Sequence, residues 1–465
     1  MARRAVVIGA GLGGLLSAVA LIGHVDEIVV VERDELPDAP AARRGLPQGR
    51  HAHILLPSGR EAIEALLPGL DLRQEVLEAG GREISLLSDA VMTGPAGWFR
   101  RWPGRSHRLL TCSRDFLDWT IRRRVLAHPT VRLRRATVTG LSGGADRVEG
   151  VRTGAVTQPA DLVVDASGRG SRVTHWLSRP GTTTIPARVV DAGLVYASRV
   201  YRVPAGAEDF PLVLLQARPD PTAPSRSAAL VPVEGGRWIV SLSGSRGGEP
   251  PAAAEDFVSF ALRLRHPLVG QVISGAVPLS RVSLTRSTRN GRRYYERAAH
   301  WPDGLVVLGD AVASFNPVYG QGMSVAALSA RALMRHVTQG DIGKRGFARR
   351  VQRAIGREVD AAWALSTSQD RWVPAVRGDG PSLFDRLLAG YTGRMARVAT
   401  SSSRVSAAMC DVTTLRAKGT SLLRPSLLAA TVAGPRLPPL DGPPLTEHEW
   451  SVVRSLDRTA RRGGG

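Results

Sequence analysis

Two widely separated groups of residues have the types and spacing to hold a ligand. The first is Gly9, Gly11 and Gly14 in "VVIGAGLGGLL", with Glu32 following 18 residues after Gly14 at the end of "EIVVVE". The second is Asp310 in "GLVVLGDAVASFNPVYGQGMS", followed by Pro317, Gly320 and Gly322. In a G-x-G-x-x-G turn the first glycine permits a tight bend, the second lets backbone approach a pyrophosphate, and the third lets the helix pack closely on the strand. The helix N-terminus then presents free N–H groups to the phosphates, and an acid placed as Glu32 is accepts a ribose hydroxyl. That chemistry is dinucleotide binding, a task for which NAD and FAD share the same fingerprint. Asp310, taken alone, reads as an aspartate that caps a turn.

Each group needs a strand, a turn and a helix to position it. "AVVI" is a short apolar run before the first glycines, and Leu15 to Ile22 continues as an apolar helix. Leu305 to Leu308 is a second buried strand, ended by Gly309, with a helix-compatible run from Ser324 to Val337 after the glycines. Between them, about residues 181–285, stretches such as "LVYASRVYRV" and "RWIVSLSG" alternate as an antiparallel sheet with one covered face does. After residue 350 the pattern turns helical, in "VQRAIGREVDAAWALSTSQD" and "LFDRLLAGYTGRMARVATSSSRV", and "GPRLPPLDGPPL" reads as an extended tail.

A chain of 465 residues has room for two or three domains. The formal net charge of +21, from 62 Lys+Arg against 41 Asp+Glu, raises the question of a nucleic-acid or anionic-membrane partner. The arginines are spread along the chain, the cluster at 122–124 reads as a solvated helix face, and 5% aromatics leave little surface for stacking on bases. No nucleic-acid partner is expected. Two cysteines, Cys112 and Cys410, are too few for a disulfide framework or a four-cysteine metal site, and no metal is expected. Residues 5–25 carry no formally charged side chain and are long enough to span a bilayer. Five glycines interrupt that run and no cleavage site follows, so the expectation is a cytoplasmic protein without a transmembrane span.

Taken together, the two glycine motifs about 300 residues apart resemble the FAD-dependent monooxygenases of the para-hydroxybenzoate hydroxylase fold. The resemblance implies an α/β architecture: a Rossmann-like FAD-binding domain, an inserted mixed β-sheet substrate domain, and C-terminal helices. It places the FAD-binding domain at about 1–75, 110–180 and 286–350, the substrate domain at 82–109 and 181–285, and a helical region with a Pro-rich tail at 351–465. The implied FAD contacts are Gly9, Gly11, Leu12, Gly13 and Gly14 at the first turn, Glu32 and Arg33 after the second strand, and Val138 further on. "RRGLPQGRHAH" would lay Arg43, Leu46 and Gln48 along the flavin, and "CSRDFLDWTI" would bring Arg114 to the phosphates. Asp310 would bind the ribityl chain, and Pro317, Gly320, Gly322 and Met323 would bring backbone beside the ring. "ADLVVDASGRGSRV" resembles the family's middle motif but has Asp165-Ala-Ser-Gly where the hydroxylases have an Asp-Gly pair.

Within that fold, "PQGRHAHILLPSGREAIEALLPG", "VDAGLVYASRVYRVP" and "GGRWIVSLSGSRGGEPP" are similar to the polyketide epoxidases of polyether-antibiotic pathways. This implies epoxidation of one or more alkenes of a polyketide or terpenoid precursor through a flavin C4a-hydroperoxide, with molecular oxygen as co-substrate. The reductant would be NAD(P)H directly or through a flavin reductase, and an epoxide-opening cyclase would act downstream. No side chain is assigned as catalytic, because the flavin carries the chemistry. An aromatic hydroxylase and a flavin-dependent isoprenoid reductase are the alternative readings. A halogenase is disfavoured because "GGRWIVSLSG" lacks that group's paired tryptophans. His51 and His53 alternate, as two residues sharing a strand face would, and Trp98, Trp102 and Trp238 read as packing groups.

Overall fold

The computed structural model describes residues 2–104, 106–178, 184–217, 220, 222–374 and 376–463. Residues 181–183, the first of the expected 181–285 segment, lie outside the described residues.

Four of the five strands that form the parallel sheet are continuous apolar runs, which suits strands covered on both faces. The sheet runs in the order Leu305–Val307, Leu162–Asp165, Arg4–Ile8, Glu27–Glu32, Val131–Arg135. Its register aligns Ile8 with Val31 and Asp165, and Asp165 with Val307. The residues that follow these strand ends therefore line one edge, where ligands of open parallel sheets bind. The helix Leu12–Leu21 packs against the sheet with Leu15, Leu16 and Leu21 fully buried, each side chain contributing roughly 1.5–3 kcal/mol. On the same core lie the helices Gly322–Gln339 and Phe347–Asp370.

The second body is a seven-stranded sheet ordered Ser283–Thr285, Val195–Arg202, Arg237–Gly244, Arg226–Val233, Leu212–Leu215, Ala90–Gly94, Gly97–Trp98. Its pairings are antiparallel except for Leu212–Leu215 with Ala90–Gly94, which makes it mixed. Alternation along the strands separates two faces. One face carries Ala197, Tyr201, Trp238, Val240 and Leu242 and packs against the helices Asp256–Leu262, Leu268–Ser274 and Glu447–Gly463. The opposite face carries Tyr196, Ser198, Ile239, Ser241 and Val231. The sheet is thus covered on both faces, and the aromatic-rich one looks away from the cofactor edge. This corrects the expectation of a single covered face.

Two further readings are corrected. Arg122 does not belong to a solvated helix face: it lies four residues after Asp118, on the inward side of Arg114–Leu126, and donates to Asp118 at 3.1 Å. Arg123 and Arg124 are the exposed pair, held by Glu75. The chain after the Pro-rich stretch does not end as an extended tail. It forms the helix Glu447–Gly463, whose Val452, Val453 and Leu456 enter the sheet's aromatic core while Glu449 takes Arg101 through both carboxylate oxygens, at 2.8 and 2.9 Å.

Candidate flavin site

The first glycine turn has the geometry its residue types predict. Gly9 has φ +96°, and a Cβ there would lie 2.8 Å from the Ala166 carbonyl oxygen. A Cβ on Gly14 would lie 1.8 Å from the Gly9 carbonyl oxygen, so strand and helix can approach this closely only without a side chain. A Cβ on Gly11 would meet nothing within 4 Å: this is the open side of the turn. Gly11 is also the N-cap of Leu12–Leu21, which has no side-chain cap and no acid in its first turn. Its free N–H groups and positive dipole end suit a phosphate.

Glu32 closes the turn from the side. One carboxylate oxygen accepts from the Ala10 N–H at 2.8 Å and from Arg43 at 3.2 Å, and the other accepts from Arg33 and Asp34 N–H. Arg43, with its side chain only 4% exposed, also donates to the Ala10 carbonyl at 2.9 Å and to Asp118 at 2.8 Å. The arginine thus sits beneath the glycine turn and holds it. Asp118 gathers Arg43, Arg122 at 3.1 Å and Arg114 at 3.7 Å. Three buried guanidiniums therefore meet two buried carboxylates, and Nε of both Arg43 and Arg114 makes no hydrogen bond. A diphosphate would suit that excess of cation.

The other expected residues converge on the same edge. Arg114 opens its helix and packs against Gly49, beside the turn that holds Leu46 and Gln48. Val138 is half-buried after the edge strand Val131–Arg135, and Arg33 is solvent-exposed next to Glu32. Gly13 approaches Leu308, and Gly320, at φ +63°, approaches Ile54, so the loop at 43–54 lies against the loop at 317–322. Asp310 is half-exposed just past the strand Leu305–Val307 and 3.8 Å from the Cβ position of Gly322. Pro317 begins a short 3-10 turn, Pro317–Tyr319, ended by Gly320. The helix Gly322–Gln339 then starts without a side-chain cap, and Met323 buries its side chain in the core. Both polar atoms of the buried Gln321 side chain lack a partner. Open helix ends, orphaned Gln321 and Arg114 atoms, and the bare Gly11 all fit a large anionic, hydrogen-bonding cofactor.

Motif reading assigns no role to three groups at this edge. Arg169 lies 3.5 Å from Asp310 and donates to the Phe315 carbonyl at 2.8 Å, so the middle motif reaches the second glycine loop. Asp165 is fully buried, accepts from the Ser167 and Ser171 hydroxyls, and has its carboxyl pushed above the usual range by burial. Asp370, at the end of Phe347–Asp370, accepts from Asn290, Asn316 and Tyr319. Nothing in the spacing of "LSTSQD" marks that aspartate.

Where the two bodies meet, His51 Nδ1 is 2.7 Å from the Ser198 hydroxyl, which is 2.5 Å from that of Ser241. The Tyr196 hydroxyl donates to Asn316 at 3.0 Å, and its ring meets His51 edge-on at 6.3 Å. Burial first, then the neighbouring Arg50, lowers the His51 pKa to about 4. Burial, then Arg114, lowers that of His53 to about 4. Both rings are neutral near pH 7. They lie in an irregular segment, not on a strand as their alternation suggested. Beside this polar cluster are half-buried Ile54, Met92, Val200, Leu214 and Ala229, with Ala407 of the helix Ser403–Thr413 closing over them. Trp98 and Trp238 are packing residues in the opposite core.

Among the described residues no group of three or more His, Cys, Asp or Glu is placed to hold a metal ion, and no helix is long and apolar enough to cross a membrane.

A five-stranded parallel sheet with a dinucleotide turn, joined to a mixed sheet across a second glycine loop, is the architecture of flavin-dependent monooxygenases and related flavoenzymes. The chain belongs to the FAD-dependent monooxygenases of the para-hydroxybenzoate hydroxylase fold. It is 32% identical over 385 residues to the protein Rv3254 of Mycobacterium tuberculosis, covering 79% of this chain and 80% of the relative. It is 30% identical over 343 residues to the kynurenine 3-monooxygenase of Salinispora arenicola, covering 70% of each. The solved structure of the flavin-dependent brominase Bmp2 superposes with a TM-score of 0.60 over 88% of this chain and 92% of the brominase, at 14% identity, and so speaks for the fold alone. No family model matches the chain.

Proposed function

We propose that the protein epoxidises one or more alkenes of a polyketide or terpenoid precursor. The observation that carries an apolar substrate is the half-buried surface of Ile54, Met92, Val200 and Leu214 beside the flavin-side loop; the choice of an alkene rests on the sequence resemblance. Bound FAD supplies the redox chemistry: when reduced it activates dioxygen, so that one oxygen atom reaches the substrate and the other leaves as water. In this reading Gly11, Leu12, Gly13 and Arg114 bind the diphosphate, and Glu32 binds the adenosine ribose with Arg33 and Val138 nearby. Asp310 accepts a ribityl hydroxyl, while Leu46, Gln48, Pro317, Gly320, Gly322 and Met323 present backbone to the ring. Arg43 acts on the cofactor through Ala10 and Glu32. The helix Ser403–Thr413 and the mixed sheet keep water from the reacting atoms, which activated oxygen requires.

The division of labour follows the chain: 1–75, 110–180 and 286–350 bind FAD, 82–109 and 181–285 bind substrate, and 351–465 covers both. Reducing equivalents come from NAD(P)H directly or through a flavin reductase, and an epoxide-opening cyclase takes the product.

A second reading, hydroxylation of a phenol, has its own support. The chain resembles a kynurenine 3-monooxygenase, and His51, bonded to Ser198 where the two bodies meet, offers a hydrogen-bond partner for a substrate hydroxyl. Offering polyenes and phenols side by side under labelled oxygen, with NAD(P)H and FAD supplied, separates the two. Label in an epoxide supports the first reading; label only in a catechol overturns it in favour of the second.

A further inference from the structure

Asp370 is 2% exposed, and its carboxylate accepts from the uncharged side chains of Asn290, Asn316 and Tyr319. Asn290 Nδ2 donates to one oxygen at 2.6 Å, and the Tyr319 hydroxyl donates to the other at 2.6 Å. Asn316 Nδ2 reaches both, at 2.9 and 3.2 Å. The adjacent Arg371 is turned elsewhere and pairs with Asp385 at 3.0 Å. A buried carboxylate is costly unless its oxygens are satisfied, and here two of the three donating side chains come from one segment. Asn316 and Tyr319 flank Pro317 and Val318 in the loop that ends at Gly320 and opens the helix Gly322–Gln339. Asn316 is fixed three more times: its N–H donates to the Asn290 side chain at 2.8 Å, and its Oδ1 accepts from the Val318 N–H at 3.2 Å and from Tyr196 at 3.0 Å. Tyr196 belongs to the strand Val195–Arg202 of the mixed sheet. One carboxylate from a distant helix therefore anchors the second glycine loop, and through Asn316 joins it to the sheet that faces the substrate.

We propose that Asp370 is a positioning residue for the flavin. It holds Asn316 and Tyr319 so that the loop to Gly322, with the open helix end behind it, keeps one conformation against the ring system, and it couples that loop to the substrate sheet through Tyr196. The inference rests on FAD occupying this edge but not on the choice of substrate, since its test reads bound flavin and not product.

The test compares wild type with Asp370→Ala, Asp370→Asn and Tyr319→Phe, following FAD affinity by flavin fluorescence and the ring environment by visible circular dichroism of the bound flavin. Asp370→Ala removes both acceptors, and FAD affinity should fall about 10- to 100-fold with an altered flavin spectrum, the range expected for losing buried hydrogen bonds to a charged group. Asp370→Asn keeps one acceptor for the two asparagines and offers an N–H to Tyr319, so affinity should recover to within about threefold of wild type. Tyr319→Phe removes a single hydroxyl and should change the spectrum with an affinity loss of about three- to tenfold. A merely structural aspartate would lower thermal stability and leave the bound flavin's spectrum as in wild type. Should Asp370→Ala fail to fold, Tyr319→Phe decides alone. A wild-type flavin spectrum and affinity in folded Asp370→Ala, or in Tyr319→Phe, overturns the proposal.

Discussion

The turn Gly9–Gly14 and the loop Asn316–Gly322 both lead into a helix whose first N–H groups no side chain caps, yet they are held in different ways. The first is fixed mainly by close backbone packing: Gly9 against Ala166, Gly14 against Gly9, with Glu32 and Arg43 bracing Ala10. The second is fixed by side chains that arrive from three remote segments, namely Asn290, Asp370 and Tyr196. A phosphate grip needs only close backbone and a dipole, and a short motif supplies both. The role proposed for the second loop, against a ring and a substrate sheet together, calls for long-range support.

Substitutions can break this contrast in graded steps. The largest effect belongs to Gly14→Ala, whose Cβ would sit 1.8 Å from a backbone oxygen. It should cost more than about 4 kcal/mol and leave little folded protein in a solubility and circular-dichroism assay. Arg43→Ala comes next: Glu32 and Asp118 would keep buried charge without their shared partner, a loss of about 3–5 kcal/mol readable in denaturant melts. Asp310→Ala should leave the melt nearly unchanged but weaken FAD by about 10- to 100-fold, and full flavin occupancy in that variant would remove the role assigned to it. Gly11→Ala sharpens the comparison most. Its φ is −75° and its Cβ position is open, so stability should hold within about 0.5 kcal/mol while FAD binding falls about tenfold from steric intrusion on the ligand.

The smallest effect near neutrality is the titration of His51. Its folded pKa of about 4 lies below the ordinary 6.5, so the unfolded chain binds the proton more readily. Its contribution to stability is complete above pH 6.5 and is lost as pH falls from 6.5 toward 4. Melts of wild type and His51→Gln should therefore converge as pH drops through that window. Parallel curves would show that the ring is not held neutral at the junction.

The same contrast explains what could be read from the chain alone. Strands such as "AVVI" and "EIVVVE" are buried on both faces and announce themselves by unbroken apolar runs. The glycines announce the turn because sterics leave no other residue type suitable at Gly9 or Gly14. Arg43 carries no local signal that distinguishes a surface arginine from one in a buried ion network, because only the fold brings Asp118 to it; Arg122 stands four residues after Asp118, but that spacing does not say which helix face is buried. Asp370 was invisible for the same reason: its donors lie on other elements, and a helix-ending aspartate is ordinary in sequence. The two-faced mixed sheet was half legible. Its period-two pattern marks strands but does not say which face meets the cofactor edge; that is settled by Tyr196 and Ser198 reaching Asn316 and His51.

The helix Glu447–Gly463 adds a constraint on biosynthesis. Val452, Val453 and Leu456 complete a core whose other walls, Ala197, Trp238 and Phe257, are made much earlier. A nascent chain emerging from the ribosome would display that aromatic face unfinished until this helix arrives, while the glycine turn and its helix are already available to fold. Expression of chains cut before residue 447 should accordingly yield aggregates or chaperone-bound protein instead of a smaller working enzyme.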